Sequence, residues 1–196
     1  MGDQKRMGDK NHTVKLYSSQ ADIVLTAIER DGVCYSKEAY VRRKYQESAP
    51  IFTTAYSWFV KQMENYVPKP EKAEYPYWAF MDLYSVDQSG GSNVLELNVS
   101  IEDAVFFDMM DWNKIMQLRY IGENEADEKE FRFELEQRGL DWSKVMLSTF
   151  YPEFKQQILK SWERLFRHHE AIKAGDLTGV HSVQAGLWKI EKKWIV

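Results

Sequence analysis

Seven tryptophans punctuate this chain, and each demands a place where an indole can be buried with its N–H satisfied. They stand at Trp58, Trp78, Trp112, Trp142, Trp162, Trp188 and Trp194, in the phrases AYSWFVKQM, YPYWAF, FFDMMDWNKI, GLDWSKV, SWERLF and QAGLWKIEKKWI. A core built for packing alone would draw more on Leu, Ile and Val. Indoles beside Asp, Asn, Gln and Tyr are the material of an amphipathic pocket or groove. Because the phrases are far apart in sequence, several elements must converge to bury them.

The remaining composition bounds what that fold can do. At 196 residues and 44% hydrophobic, the chain suits one domain with a substantial core. A formal charge of -4, from 26 basic and 30 acidic residues, argues against a broad nucleic-acid footprint. The single cysteine, Cys34, cannot form an internal disulfide and fits a reducing, cytoplasmic setting. No apolar run approaches the roughly 20 residues of a membrane span, so no membrane partner is expected. Residues 1–11 are polar, lack the apolar core of a signal peptide, and read as a disordered lead-in to a domain over 12–196.

Periodicity supplies the elements. Residues 14–18 (VKLYS) alternate and predict a strand. Ser19 or Asp22 would cap the next helix, which ends at Asp31-Gly32. A brief strand at VCYS and a cationic helix over 37–46 follow. Residues 52–66 predict a helix capped by Thr53 or Thr54, and three prolines make 67–76 an extended loop. Residues 77–84 and 94–99 read as a hairpin closed by a turn over 88–93. Ser100 caps a helical turn, Val105 to Phe107 are apolar, and helices are expected over 108–120, 123–137 and from Asp141 or Ser143. Pro152 opens a helix striped with Phe154, Ile158, Leu159, Trp162 and Phe166. Residues 183–190 alternate as the last strand. The expected fold is α+β: a small, mostly antiparallel central sheet holding strands from both ends of the chain, with several packed helices.

The candidate chemistry is sparse. His168 and His169 are adjacent, His12 and His181 lie elsewhere, and no His or Cys spacing suits a metal, so all are expected as surface histidines. Cys34 lacks a recognisable catalytic partner, and Gly90-Gly91 sits between strands, where it suits a turn rather than a phosphate cradle. Asp108 and Asp111 fall three apart; either could act as a base or hold a ribose hydroxyl, and either could cap a helix. Arg42-Arg43-Lys44, flanked by Tyr40 and Tyr45, could bind phosphates or stacked bases, or form a solvated face. Gln184, followed by Ala185-Gly186, is a buried amide that needs partners, from ligand or loop.

Several phrases carry a resemblance. KLYSSQ at 15–20, AYSWFVKQM at 55–63, YPYWAF at 75–80, VFFDMMDWNKI at 105–115, SWERLF at 161–166 and SVQAGLWKI at 182–190 resemble the bacterial family called domain of unknown function 3841 (DUF3841). That likeness spans nearly all of the chain beyond the lead-in and implies no activity. A second likeness rests on layout. ADP-ribosyltransferase-like domains open on a Leu-Tyr-His strand, continue into a helix ending in Gly, and finish on a strand with a catalytic Glu. Here Leu16-Tyr17-Ser18 precedes a helix ending at Gly32, and the last strand carries Gln184-Ala185-Gly186. Ser18 stands where the His belongs, and Gln184 or Gly186 where the Glu belongs; Gln cannot serve as a carboxylate base.

Two functions follow as expectations. The first is a transferase-like enzyme using NAD or another nucleotide. Tyr17, Ser18 and Gln20 would line its pocket, Trp58 or Trp112 would stack on a ring, Gln184 would bond ribose, and Asp108 would supply the carboxylate. The second is a non-catalytic module that recognises a small molecule, a peptide or a protein partner through a tryptophan-lined groove. Convergence of Ser18, Gln20, Asp108 and Gln184 on one concavity would favour the enzyme.

Overall fold

The computed structural model describes residues 12–88 and 92–196, with only the backbone of Lys44 and Tyr45. The expected lead-in and the Gly90-Gly91 turn therefore lie outside the described residues. Strand β1, Thr13–Gln20, alternates as its sequence requires: Leu16 and Ser18 are buried, and Lys15 and Tyr17 face the other way. Helix α1, Asp22–Asp31, buries Val24 and Ile28, and Gly32 ends it in the left-handed conformation (φ 75°) that glycine adopts without steric penalty. Beyond it come β2, Val33–Cys34, then α2, Glu38–Tyr45, and α3, Ala49–Met63.

Strands β3 (Tyr77–Phe80), β4 (Asn93–Ser100) and β5 (Ala104–Asp108) are followed by helices α4 (Met109–Met116), α5 (Glu125–Gln137), α6 (Trp142–Met146), α7 (Pro152–Ser161) and α8 (His169–Lys173). The chain closes with β6, Val183–Leu187, and β7, Ile190–Glu191. The main sheet has five strands in the order β4-β1-β3-β6-β5, with every neighbour antiparallel, and β2 pairs with β7 in a separate two-stranded sheet. Strands from near both ends of the chain thus lie in one sheet, as expected, with β3 between them. The fold is a single α+β domain.

The sheet separates two cores. One face presents Leu16, Leu97, Ala79, Ala185 and Phe106 to α1 and α8, through Val24, Ile28 and Ile172. The other presents Val105, Phe107 and Trp78 to α3–α7, where Phe59, Trp112, Ile158 and Trp162 pack. Indole N–H groups stitch this thicker layer: Trp78 donates to the Tyr56 hydroxyl (2.9 Å), Trp162 to the Arg119 carbonyl (2.7 Å) and Trp188 to the Val67 carbonyl (2.9 Å). Both sheet edges are covered. Backbone N–H of Val196 donates to the Glu96 carbonyl (3.0 Å) along β4, and Nδ1 of His169 accepts from Phe106 N–H (3.0 Å) along β5.

Several expectations change. The predicted hairpin does not form, because β1 inserts between β3 and β4 and pairs along the whole of β4. The strand over 77–84 stops at Phe80. Val105 to Phe107 belong to a strand whose five residues are all buried, so it shows no alternation to read. The final strand breaks at Trp188-Lys189. Neither Ser19 nor Asp22 caps α1. Helix α3 starts at Ala49 with Pro50 in its first turn, so Thr53 and Thr54 lie inside it and donate back to the Pro50 carbonyl at 3.3 and 2.7 Å. His169 is buried, not a surface histidine. Asp141 and Ser100 do cap their segments, and Pro152 does open α7, but that helix ends at Ser161, so Trp162 and Phe166 lie in the tighter 3-10 turn beyond it, and Leu159 is only half-buried. Among the described residues no helix is long and apolar enough to cross a membrane.

Candidate functional site

Asp108 ends β5 and caps α4. Its Oδ1 accepts from Met110 N–H (2.9 Å), and its Oδ2 accepts from the backbone N–H of His181 (3.0 Å) and meets His181 Nδ1 at 2.8 Å. Burial works to raise the pKa of this carboxyl, but the two N–H groups and the imidazole outweigh it and hold the pKa below the ordinary value. The carboxylate is therefore engaged on both oxygens. Gln184 sits in β6, across from Phe80 and Phe107, while Asp108 pairs with Val183. Successive strand residues face opposite sides, so Gln184 points to the α3–α7 face and Asp108 to the α1/α8 face.

The β1 residues divide in the same way. Tyr17 lies across from Phe80 and shares the face of Gln184, two strand spacings away, about 10 Å. Ser18 is completely buried on the opposite face; its Oγ donates to the Trp78 carbonyl (2.7 Å) and accepts from Gln20 Nε2 (2.8 Å). This hydroxyl serves the backbone where the β1–β3 ladder is short. Ser18 and Gln20 therefore stay together, but Ala79, Ala185 and Val183 fill the space between them and Asp108. The four polar residues expected to converge do not share a concavity.

The two expected ring-stacking tryptophans also part company. Trp112 is only 4% exposed and is enclosed by Trp78 (centroids 4.7 Å), Phe59 (5.3 Å), Tyr56 (5.9 Å) and Phe107 (6.0 Å). Trp58 is half-buried. Its indole lies nearly parallel to Phe166 (6.0 Å, 18°) and meets Trp162 edge-on (5.4 Å), and it lines an open groove.

That groove, about 430 Å³, runs between α2, α3, α6 and α7. From α3 come Thr54, Trp58 and Lys61, spaced four and three residues apart and so on one helix face, together with Thr53 and Ser57. Helix α2 supplies Glu38 and Arg42, α6 supplies Met146, and α7 supplies Lys155 and Leu159. The lining thus holds three cations against one carboxylate in a protein whose net charge is -4. Thr54 commits its proton to Pro50, leaving lone pairs for a donor such as a sugar hydroxyl or a ring N–H. Ser57 Oγ lies 3.4 Å from the Tyr75 hydroxyl. A flat apolar wall, hydroxyl acceptors and a cationic rim can hold a ring attached to an anion.

Of the seven residues expected at a site, Trp58 alone lines this groove, joined by Arg42 of the basic run. Sequence reasoning missed Glu38, Ser57, Lys61, Lys155 and the threonines as lining residues. The Trp58–Lys61 spacing was a usable signal, but nothing local ties α3 to Lys155, nearly a hundred positions away. It also missed His181 as the partner of Asp108.

The model of the family described as Domain of unknown function (DUF3841) matches residues 15–196, and the chain belongs to that family. Comparison with curated proteins and with solved structures finds no match.

Proposed function

We propose that this DUF3841 protein is a binding module whose α2–α3–α7 groove takes a ring-bearing anion of the nucleotide type. The observation that carries this reading is the gathering of Arg42, Lys61 and Lys155 around the half-buried indole of Trp58. Guanidinium and ammonium groups meet phosphate oxygens with charge-assisted hydrogen bonds, and an indole stacks on any base. NAD, ADP-ribose and nucleoside phosphates all carry both groups. A cytoplasmic location, where such ligands abound and a lone cysteine stays reduced, belongs to the proposal.

Against the transferase reading stands the dispersal of its parts. Asp108 and Gln184 lie on opposite faces of the sheet, Ser18 is sealed, and the Asp108 carboxylate is fully occupied in holding a helix start and a loop. Glu38 is the one carboxylate among the described residues lining the groove, and Arg42 holds it.

The test is a titration with ADP, ATP, NAD and ADP-ribose, read by intrinsic fluorescence and by calorimetry, on the wild type and on Trp58→Phe. Saturable binding that quenches the wild type and weakens in the variant is expected. A folded wild type that binds none of the four, or a variant that binds as tightly as the wild type, defeats the proposal.

A further inference from the structure

The anionic position of the groove is already filled from within the chain. Nε and Nη2 of Arg42 reach the same oxygen of Glu38, Oε1, at 2.6 and 2.5 Å. Glu38 is also fixed at its backbone, where its N–H donates to Glu74 Oε2 (2.9 Å), and that carboxylate in turn receives Lys37 Nζ at 2.9 Å. The first turn of α2 is thereby anchored, with its glutamate laid across the guanidinium. The other two cations differ. Lys61 has no ion-pair partner among the described residues, and Lys155 Nζ meets only the Ser148 carbonyl, at 3.3 Å. One cation is neutralised internally and two remain open to a ligand.

We propose that the Glu38 carboxylate occupies a phosphate seat in the free protein, so that a tight ligand must displace it from Arg42 and bring further charge to Lys61 and Lys155, as nucleoside diphosphates and triphosphates do. This rests on the nucleotide reading of the groove. An uncharged nucleoside gains only the stacking on Trp58. A singly charged carboxylate ligand would exchange like for like at Arg42. A diphosphate brings more charge than it displaces: one phosphoryl group takes the fork of Arg42, and the other lies with Lys61 and Lys155. Glu38, released, still repels the ligand at close range, so its charge weakens binding of every anion, and only a ligand with charge to spare for Lys61 and Lys155 recovers the cost of displacing it.

Calorimetric titration of adenosine, AMP and ADP into the wild type, Glu38→Gln, Glu38→Ala and Lys61→Ala tests this. ADP is expected to bind the wild type more tightly than AMP, and adenosine weakest. Both Glu38 variants should tighten AMP and ADP several-fold and leave adenosine little changed, and Lys61→Ala should weaken ADP about tenfold. If ADP binds the wild type but folded Glu38 variants bind it no better, or worse, the seat is not Glu38's and this inference falls while the nucleotide groove stands. If no phosphate compound binds any of the proteins, the nucleotide reading itself falls and takes the inference with it.

Discussion

The Oδ2 atom of Asp108 receives the backbone N–H of His181 at 3.0 Å and lies 2.8 Å from its Nδ1, across 73 positions of sequence. With the carboxylate ionised, Nδ1 must carry the proton. The pair ties the start of α4 to the segment that enters β6, so Asp108 acts as a joint between elements. Asp108→Ala removes the N-cap acceptor and leaves the His181 N–H unsatisfied, and should cost about 1–3 kcal/mol. Thermal denaturation would register this as a drop of about 2–4 °C per kcal/mol in a chain of this size. Because the folded pKa of Asp108 is depressed, its contribution is present above the ordinary carboxylate range and is lost as pH falls through the folded value. An unchanged melting temperature in Asp108→Ala would remove the structural role.

His169 predicts a second pH dependence. Its Nδ1 must be unprotonated to accept from Phe106 N–H, and burial lowers its pKa first and most. The folded value lies below that of the unfolded chain, so the contribution is complete above roughly pH 6.5 and declines as pH falls through the folded value. Asn offers an oxygen near the position of Nδ1 and does not titrate. Urea denaturation of His169→Asn between about pH 5 and 7 should therefore show a shallower loss of stability than the wild type; identical slopes would clear His169 of the effect.

Gly186 is a packing position. A Cβ there would stand 2.9 Å from Cε1 and Cζ of Phe59 and 3.3 Å from the Met63 sulfur. Phe59 is fully buried among aromatic rings and has little room to retreat. Gly186→Ala should lower stability by about 1–3 kcal/mol through overpacking. Chemical denaturation reads it directly, and a neutral substitution would mean that the α3 layer yields more easily than its packing suggests.

Ser18 separates structure from function. Ser18→Ala strips a donor from the Trp78 carbonyl and an acceptor from Gln20 Nε2, and should destabilise by about 1–3 kcal/mol. Nucleotide affinity, measured well below the melting temperature, should not move, since Ser18 does not line the groove. A folded Ser18→Ala protein that lost its ligand would return attention to the β1 layout.

Sequence by itself determined whatever a few neighbouring residues can enforce. The alternation of β1, the stop at Gly32, the caps at Asp108, Ser100 and Asp141, and the burial of Phe154 and Ile158 on α7 each follow from local sterics, hydrogen bonding and periodicity. Tertiary structure decided which distant segments meet. That β1 separates β3 from β4 depends on non-local pairing, which leaves no mark on the period of either strand. Facing was decided the same way: register sent Asp108 and Gln184 to opposite sides of the sheet, and helix packing enclosed Trp112 while leaving Trp58 open beside Arg42, Lys61 and Lys155. An exposed lysine on one helix carries no local sign of its neighbours on another, because the forces that bring the helices together act through their buried faces.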